Sequence, residues 1–211
     1  MKKALLIVDV QNDFCPGGAL AVKGGDLIIP TINRLSQEFE IVVLAQDWHP
    51  SHHLSFASSY PDKRPYESVN MEYGMQVLWP DHCVQNTKGA EFHKDLDVSN
   101  AQLIIRKGFR KHIDSYSAFY ENDRKTATGL SGFLKGLDVD SLYITGLATD
   151  FCVKWSAIDG VKEGFNVFVV EDAVEGIDIN QSVELAWKEM KAEGVEIIKS
   201  ANVLNQLAAG V

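Results

Sequence analysis

The chain has 211 residues, 45% of them hydrophobic, and a formal net charge of -9. That length can bury one sizeable core, and the acidic balance disfavours a nucleic-acid footprint or an anionic membrane surface, leaving a small molecule as the expected partner. Cys15, Cys83 and Cys152 are odd in number, widely spaced and free of any CxxC pair, which argues against a disulfide framework and against a cysteine zinc site.

In chain order, the first apolar run covers residues 4–10, and its unbroken part, 4–8, is too short for a signal sequence or a membrane span. A cytoplasmic protein is expected. Residues 26–37 have helical spacing, and 41–45 read as a second strand followed at once by Asp47 and His49. The stretch from 48 to about 97 holds four of the six prolines, Pro50, Pro61, Pro65 and Pro80, and no long periodic segment. Loops of that length inside a compact domain are uncommon and usually functional, so this one is expected to carry a metal site and a lid. Strand patterns return at 102–106, 141–146, 166–170 and 195–198, with helices at 150–162 and 181–192.

This alternation predicts an α/β fold, a Rossmann-like parallel sheet of about six strands with helices on both faces. With no linker, repeat or low-complexity tract to divide it, the whole of 1–211 is expected to be one domain. In such sheets ligands bind beyond the carboxyl ends of the strands. Asp9, Asp47 with His49, Lys107 and Cys152 stand at four of those ends.

Cys152 is the most informative of them, because it follows a buried strand and falls in the first turn of the 150–162 helix, with Thr149 or Asp150 as the natural N-cap. Free backbone N–H groups and the positive end of the helix dipole there favour a thiolate. Histidine, the usual base, has no obvious station beside it, so the candidate set is Cys152, Asp9 and Lys107. An aspartate and a thiol at their reference values differ by about 4.6 pKa units, roughly 6 kcal/mol of uphill proton transfer. A nearby ammonium and the helix terminus are expected to lower the thiol, and burial to raise Asp9. The N–H of Cys152 and one near Ala148 could stabilise a tetrahedral oxyanion, which predicts acyl transfer through a thioester. The plainer alternatives are a core cysteine and an ordinary Asp9–Lys107 ion pair at the sheet edge.

Asp47 and His49 are two apart at a strand end and so point the same way, and His82 adds a third donor from the far side of the long loop. One carboxylate and two imidazoles suit a single divalent ion, Zn²⁺, Fe²⁺ or Mn²⁺, with positions left open. His52 and His53 are spare candidates, His53 the nearer one, while His93 and His112 read as surface residues.

The runs IVDVQNDFCPGGAL, QDWHPSHHLSFAS, WPDHCVQ, RKG, SYSAF and GLATDFCV, in this order over residues 1–180, resemble the nicotinamidases (pyrazinamidases) of the isochorismatase-like cysteine hydrolase superfamily. The resemblance implies hydrolysis of nicotinamide, and of pyrazinamide as well, to the acid and ammonia, in NAD salvage. It implies Cys152 as nucleophile, Asp9 as base and then acid, and Lys107 as the third member of the triad. Asp47, His49 and His82 would hold the metal that accepts the pyridine nitrogen, and Ala148 and Cys152 would form the oxyanion hole. Phe14, Leu20, Trp79, Tyr116, Leu147 and Phe151 match substrate-binding positions, with the Leu147–Ala148 peptide cis. Segment 61–76, which should cover the site, has no signature that maps onto the family. The rival readings are a sister hydrolase of N-carbamoyl or ureido amides, an isochorismatase, or an inactive binding module of the same fold; a homo-oligomer is compatible with all of them.

Overall fold

A computed structural model describes residues 2–209. Six strands form one sheet: β1 (Lys2–Val8), β2 (Ile41–Asp47), β5 (Leu103–Lys107), β6 (Val139–Leu147), β7 (Asn166–Glu175) and β8 (Glu196–Ile198). Their order is β5-β2-β1-β6-β7-β8, and every pairing is parallel. Helices α1 (Ile29–Ser36) and α5 (Ser200–Ala208) contribute Ile32, Leu35 and Val203 to the core on one face, where Leu5 and Ile7 of β1 also point. The opposite face receives Ala4, Leu6 and Val8 together with residues of α2 (Leu130–Gly136), α3 (Lys154–Lys162) and α4 (Ser182–Ala192). Burial on both faces explains why β1 reads as a continuous apolar run rather than an alternating one.

The chain leaves β1 towards β2 and β5, then returns to place β6 on the other flank of β1. That reversal makes the carboxyl ends of β1 and β6 a topological switch point, the place where open α/β sheets bind ligands. Gly146 lets the two strands close up there: its φ is +110°, and a Cβ on it would lie 2.0 Å from the Val8 carbonyl oxygen.

The expected elements are present with shifted ends. The first strand stops at Val8 because Asp9 takes a left-handed φ of 50°, and the helix expected over 26–37 is confined to Ile29–Ser36. The expected 150–162 helix is two pieces, a π-helical turn Thr149–Val153 and then α3. Neither Thr149 nor Asp150 caps it; Ala148 precedes the turn, and the Asp150 carboxylate instead accepts hydrogen bonds from the Ile177 and Asp178 amides and the Ser182 hydroxyl. Helices α2 and α5 were not anticipated, nor was an antiparallel hairpin inside the long loop, β3 (Ser68–Met71) with β4 (Gly74–Val77). Among the described residues no helix is long and apolar enough to cross a membrane.

Gly146→Ala should therefore destabilise the fold by about 3 kcal/mol, since it combines a disallowed φ with a backbone clash. Gly132→Ala, an exposed α2 position where a Cβ meets nothing within 4 Å, should stabilise by about 0.5–1 kcal/mol. Urea midpoints of the two variants check the contrast.

Candidate active site

At the switch point the strand ends bring Asp9, Lys107 and Cys152 together. Lys107 Nζ lies 2.7 Å from Asp9 Oδ2, 2.5 Å from Asp47 Oδ1, 3.0 Å from the Ser115 carbonyl oxygen and 3.4 Å from Cys152 Sγ. Asp9 and Lys107 are wholly buried, and Cys152 is 5% exposed. The ammonium donates to Asp47, Ser115 and Cys152, while its contact with Asp9 is an ion pair out of line for a hydrogen bond, so neither Asp9 oxygen receives a well-formed one. A buried carboxylate left in this way keeps basic lone pairs.

Burial is the largest influence on Asp9 and, with repulsion from Asp47, it outweighs Lys107 and pushes the carboxyl up to about 6. Lys107 is desolvated too, but the two carboxylates more than compensate and hold it well above the ordinary lysine value, so it stays charged. Cys152 departs from the sequence expectation. Burial raises its thiol well above the usual value, and Asp9 and Asp47 add to the rise against the attraction of Lys107. The resting pair is thus a neutral thiol beside a poised carboxylate, and the gap between them is narrowed from the Asp9 side.

Asp47 faces two ways. Its Oδ1 takes the Lys107 ammonium, and its Oδ2 lies 3.4 Å from His82 Nε2 and 3.9 Å from His49 Nδ1. Asp47, His49 and His82 are buried and offer ligand atoms all within 4.8 Å of one another. Their outer contacts set the tautomers: His82 Nδ1–H donates to the Pro80 carbonyl at 2.8 Å, and His49 Nε2 sits 2.9 Å from Asp114 Oδ1. This leaves His82 Nε2 and His49 Nδ1 as lone pairs turned towards Asp47, and His49 Nδ1 is a buried atom with no hydrogen-bond partner. Ligating imidazoles are typically oriented in this manner, so the donor set fits a divalent ion. Gly108 makes room for the His49 ring, since a Cβ there would come within 2.8 Å of His49 Nε2.

His49, His53 and Asp114 also lie close enough to hold an ion. Both His53 nitrogens are engaged, however: Nδ1 accepts from the Ser55 amide at 3.0 Å, and Nε2 donates to the Arg110 carbonyl at 2.8 Å. His53 therefore offers no ligand lone pair and packs edge-on against His49. His52 and His112 are exposed and His93 is half-buried; none of the three stands in the Asp47 group.

A small, partly open cavity lies between the two clusters. Cys152 and Ala148 line it beside Asp47 and His82, and Phe14, Leu20, Trp79, Tyr116 and Phe151 form its walls. Trp79 and Phe151 meet edge to face at 4.8 Å, and the Trp79 indole N–H donates to the Tyr116 hydroxyl. Leu147 is the exception among the expected substrate contacts: it is fully buried in the core and does not line the cavity. The peptide joining it to Ala148 is cis. Two lining residues were missed, Asp114 and Ile177. Asp114 directly precedes the SYSAF run and could have been flagged by that position; Ile177 carries no comparable signal.

The site and sheet define a class. The isochorismatase domain model matches residues 3–202, and the chain belongs to that family. The chain is 57% identical over 201 residues to a nicotinamidase from Acinetobacter baylyi, covering 95% of this chain and 94% of that one. Among solved structures it is similar to the nicotinamidase/pyrazinamidase of Acinetobacter baumanii, with a TM-score of 0.95, 57% identity and coverage of 96% and 98%. It is also similar to the pyrazinamidase of Pyrococcus horikoshii in complex with zinc, with a TM-score of 0.77, 39% identity and coverage of 94% and 99%.

Replacing His82 by alanine is expected to cut Zn²⁺ retained after dialysis at least tenfold, since one of three donors is lost. Metal content by atomic absorption, with circular dichroism as the fold control, tests this; equal occupancy would remove His82 from the set.

Proposed function

We propose that this protein is a nicotinamidase that hydrolyses nicotinamide to nicotinate and ammonia, accepts pyrazinamide as well, and serves NAD salvage. The reading is carried by one cavity lined by Cys152 of the Cys152–Asp9–Lys107 group, by Asp47 and His82 of the Asp47–His49–His82 group, and by aromatic side chains. A planar aromatic amide fits that arrangement. Identity of 57% to a nicotinamidase along nearly the whole chain supports it.

In the proposed mechanism Asp9 takes the thiol proton as Cys152 Sγ attacks the carboxamide carbon. The resulting oxyanion is held by the Ala148 and Cys152 amides, an electrostatic contribution worth about 3 kcal/mol per donor in comparable sites. Asp9 then delivers its proton to the departing nitrogen, ammonia leaves, and a thioester remains on Cys152. Water, deprotonated by Asp9, attacks the thioester carbon; the acid is released and the proton returns to sulfur. Lys107 keeps its charge throughout, fixing Asp9 and offsetting the developing thiolate. A divalent ion, Zn²⁺, Fe²⁺ or Mn²⁺, held by Asp47, His49 and His82 would supply a Lewis-acid contact for the ring nitrogen. A hydrolase of N-carbamoyl or ureido amides has no use for such a group, which disfavours that alternative.

Ammonia release from nicotinamide, lost on chelation and restored by added Zn²⁺, Fe²⁺ or Mn²⁺, is the expected result; a metal-loaded protein that releases none would reject nicotinamide as substrate. Cys152→Ala and Asp9→Asn should each lower kcat by about 10³-fold or more without unfolding the protein. Undiminished turnover by the Cys152 variant would sink the thioester. The reactive pair is ionised Asp9 with a protonated thiol, so kcat/KM should fall as pH drops through about 6, where Asp9 takes up its proton. Because the thiol lies well above its usual value, kcat/KM should stay level between about pH 7 and 9. A pH–rate profile whose acid limb is absent would argue against Asp9 as the base.

A further inference from the structure

Hairpin β3–β4 buries one polar side chain. Gln76 is 1% exposed, while its neighbour Met75 is 72% exposed. Every polar atom of the Gln76 amide is used. Nε2 lies 2.9 Å from the Tyr116 hydroxyl, 3.1 Å from Asp114 Oδ2 and 2.7 Å from the Val77 carbonyl oxygen. Oε1 accepts from the Tyr73 hydroxyl at 3.1 Å and from Asn122 Nδ2 at 3.0 Å. Asp114, 2% exposed, receives Gln76 on Oδ2, and on Oδ1 it meets His49 Nε2 and the Ser115 amide. An unbroken chain of contacts therefore runs from the hairpin through Gln76 and Asp114 to His49, whose other ring nitrogen is the unpartnered buried atom facing Asp47.

The hairpin is equally continuous with the cavity wall. Its pairing extends through the Leu78 amide to the Glu67 carbonyl and the Tyr66 amide to the Leu78 carbonyl, and the next residue is Trp79. A shift of the hairpin would move Trp79 and withdraw Gln76 from Asp114 together.

We propose that Gln76 and Asp114 are positioning residues for His49: the hairpin docks through Gln76 onto Asp114, and Asp114 fixes the His49 tautomer and ring orientation, so a seated hairpin and an aligned metal ligand form together. The inference rests on the reading of Asp47, His49 and His82 as metal ligands. Linkage makes the coupling reciprocal: an ion that favours aligned His49 favours the docked hairpin by the same factor. Carboxylates behind ligating histidines commonly change metal affinity 10–100-fold when altered.

The test combines Zn²⁺ affinity, from competition with a chromophoric chelator, with hydrogen–deuterium exchange of the hairpin amides in the absence and presence of Zn²⁺. Wild-type protein should bind one Zn²⁺ and gain protection at the Tyr66 and Leu78 amides. Asp114→Asn keeps an acceptor for His49 but loses the charge and turns an amide towards Gln76; it should weaken Zn²⁺ binding about 10–100-fold. Gln76→Leu has similar volume and leaves the Asp114–His49 contact in place; it should weaken binding by about fivefold or more and abolish the zinc-dependent protection. Wild-type Zn²⁺ affinity in Gln76→Leu, with protection retained, would overturn the coupling alone. A wild-type protein that takes up no Zn²⁺ would overturn the metal reading and this inference with it. Should Asp114→Asn fail to fold, the wild-type and Gln76→Leu measurements still decide the question.

Discussion

One buried ammonium organises the site. Lys107 Nζ sits between the carboxylates of Asp9 and Asp47 and beside the sulfur of Cys152, with no exposure to solvent. Two carboxylates buried this close together would repel each other strongly, and one would be driven to neutrality without the cation between them. The same charge therefore permits two different environments a few ångströms apart. Asp47 gains the Lys107 hydrogen bond and the attraction of its ammonium, and its carboxyl is held well below the ordinary range despite burial. For Asp9, burial and the nearby Asp47 outweigh the attraction of Lys107 and the contact with Cys152, and the carboxyl is pushed up. One carboxyl is thus held low and the other raised to about 6, as the proposed base requires.

The sheet makes this possible by geometry more than by composition. Lys107 ends β5, Asp47 ends β2 and Asp9 follows β1, three neighbouring parallel strands whose register aligns their ends: Asp47 pairs with Lys107, and Val8 with Ala45. The fourth participant arrives from β6 across the switch point, where the π-helical turn carries Cys152 back over Asp9. Asp9 itself has a left-handed φ of 50°, a conformation costly for aspartate and tolerated where surrounding structure enforces it.

Much of this was legible in the sequence because the central strands β1 and β2 are buried on both faces, and the apolar runs that lead to Asp9 and Asp47 stand out against a polar background; Lys107 closes the half-exposed edge strand β5. The chemistry was legible for the same reason: charged groups at the tips of apolar strands are costly unless they have partners. What was not legible depended on three-dimensional neighbours. The protonation of Cys152 could not be read from its place after a strand, since the burial and the two carboxylates that raise it come from other elements. Hairpin β3–β4 has four residues a side and an inward-facing Gln76, so it shows no hydrophobic alternation. Helix α2 carries Gly132 and Gly136 and is too short to show a period. Asp114 earns its place through His49, a contact 65 positions distant.

The way Asp150 clasps the segment after β7 bears on how the site is assembled during synthesis. Asp9, Asp47, His82, Lys107 and Cys152 all lie in the first 152 positions, yet the cavity wall includes Ile177, held in place through Asp150 by the Ile177 and Asp178 amides and Ser182. A nascent chain that emerges from its amino end thus carries all five of these residues before it has the residue that closes the wall around them. Until the chain has been made as far as Ser182 and the clasp has formed, Cys152 is chemically present without the part of its wall that Ile177 supplies.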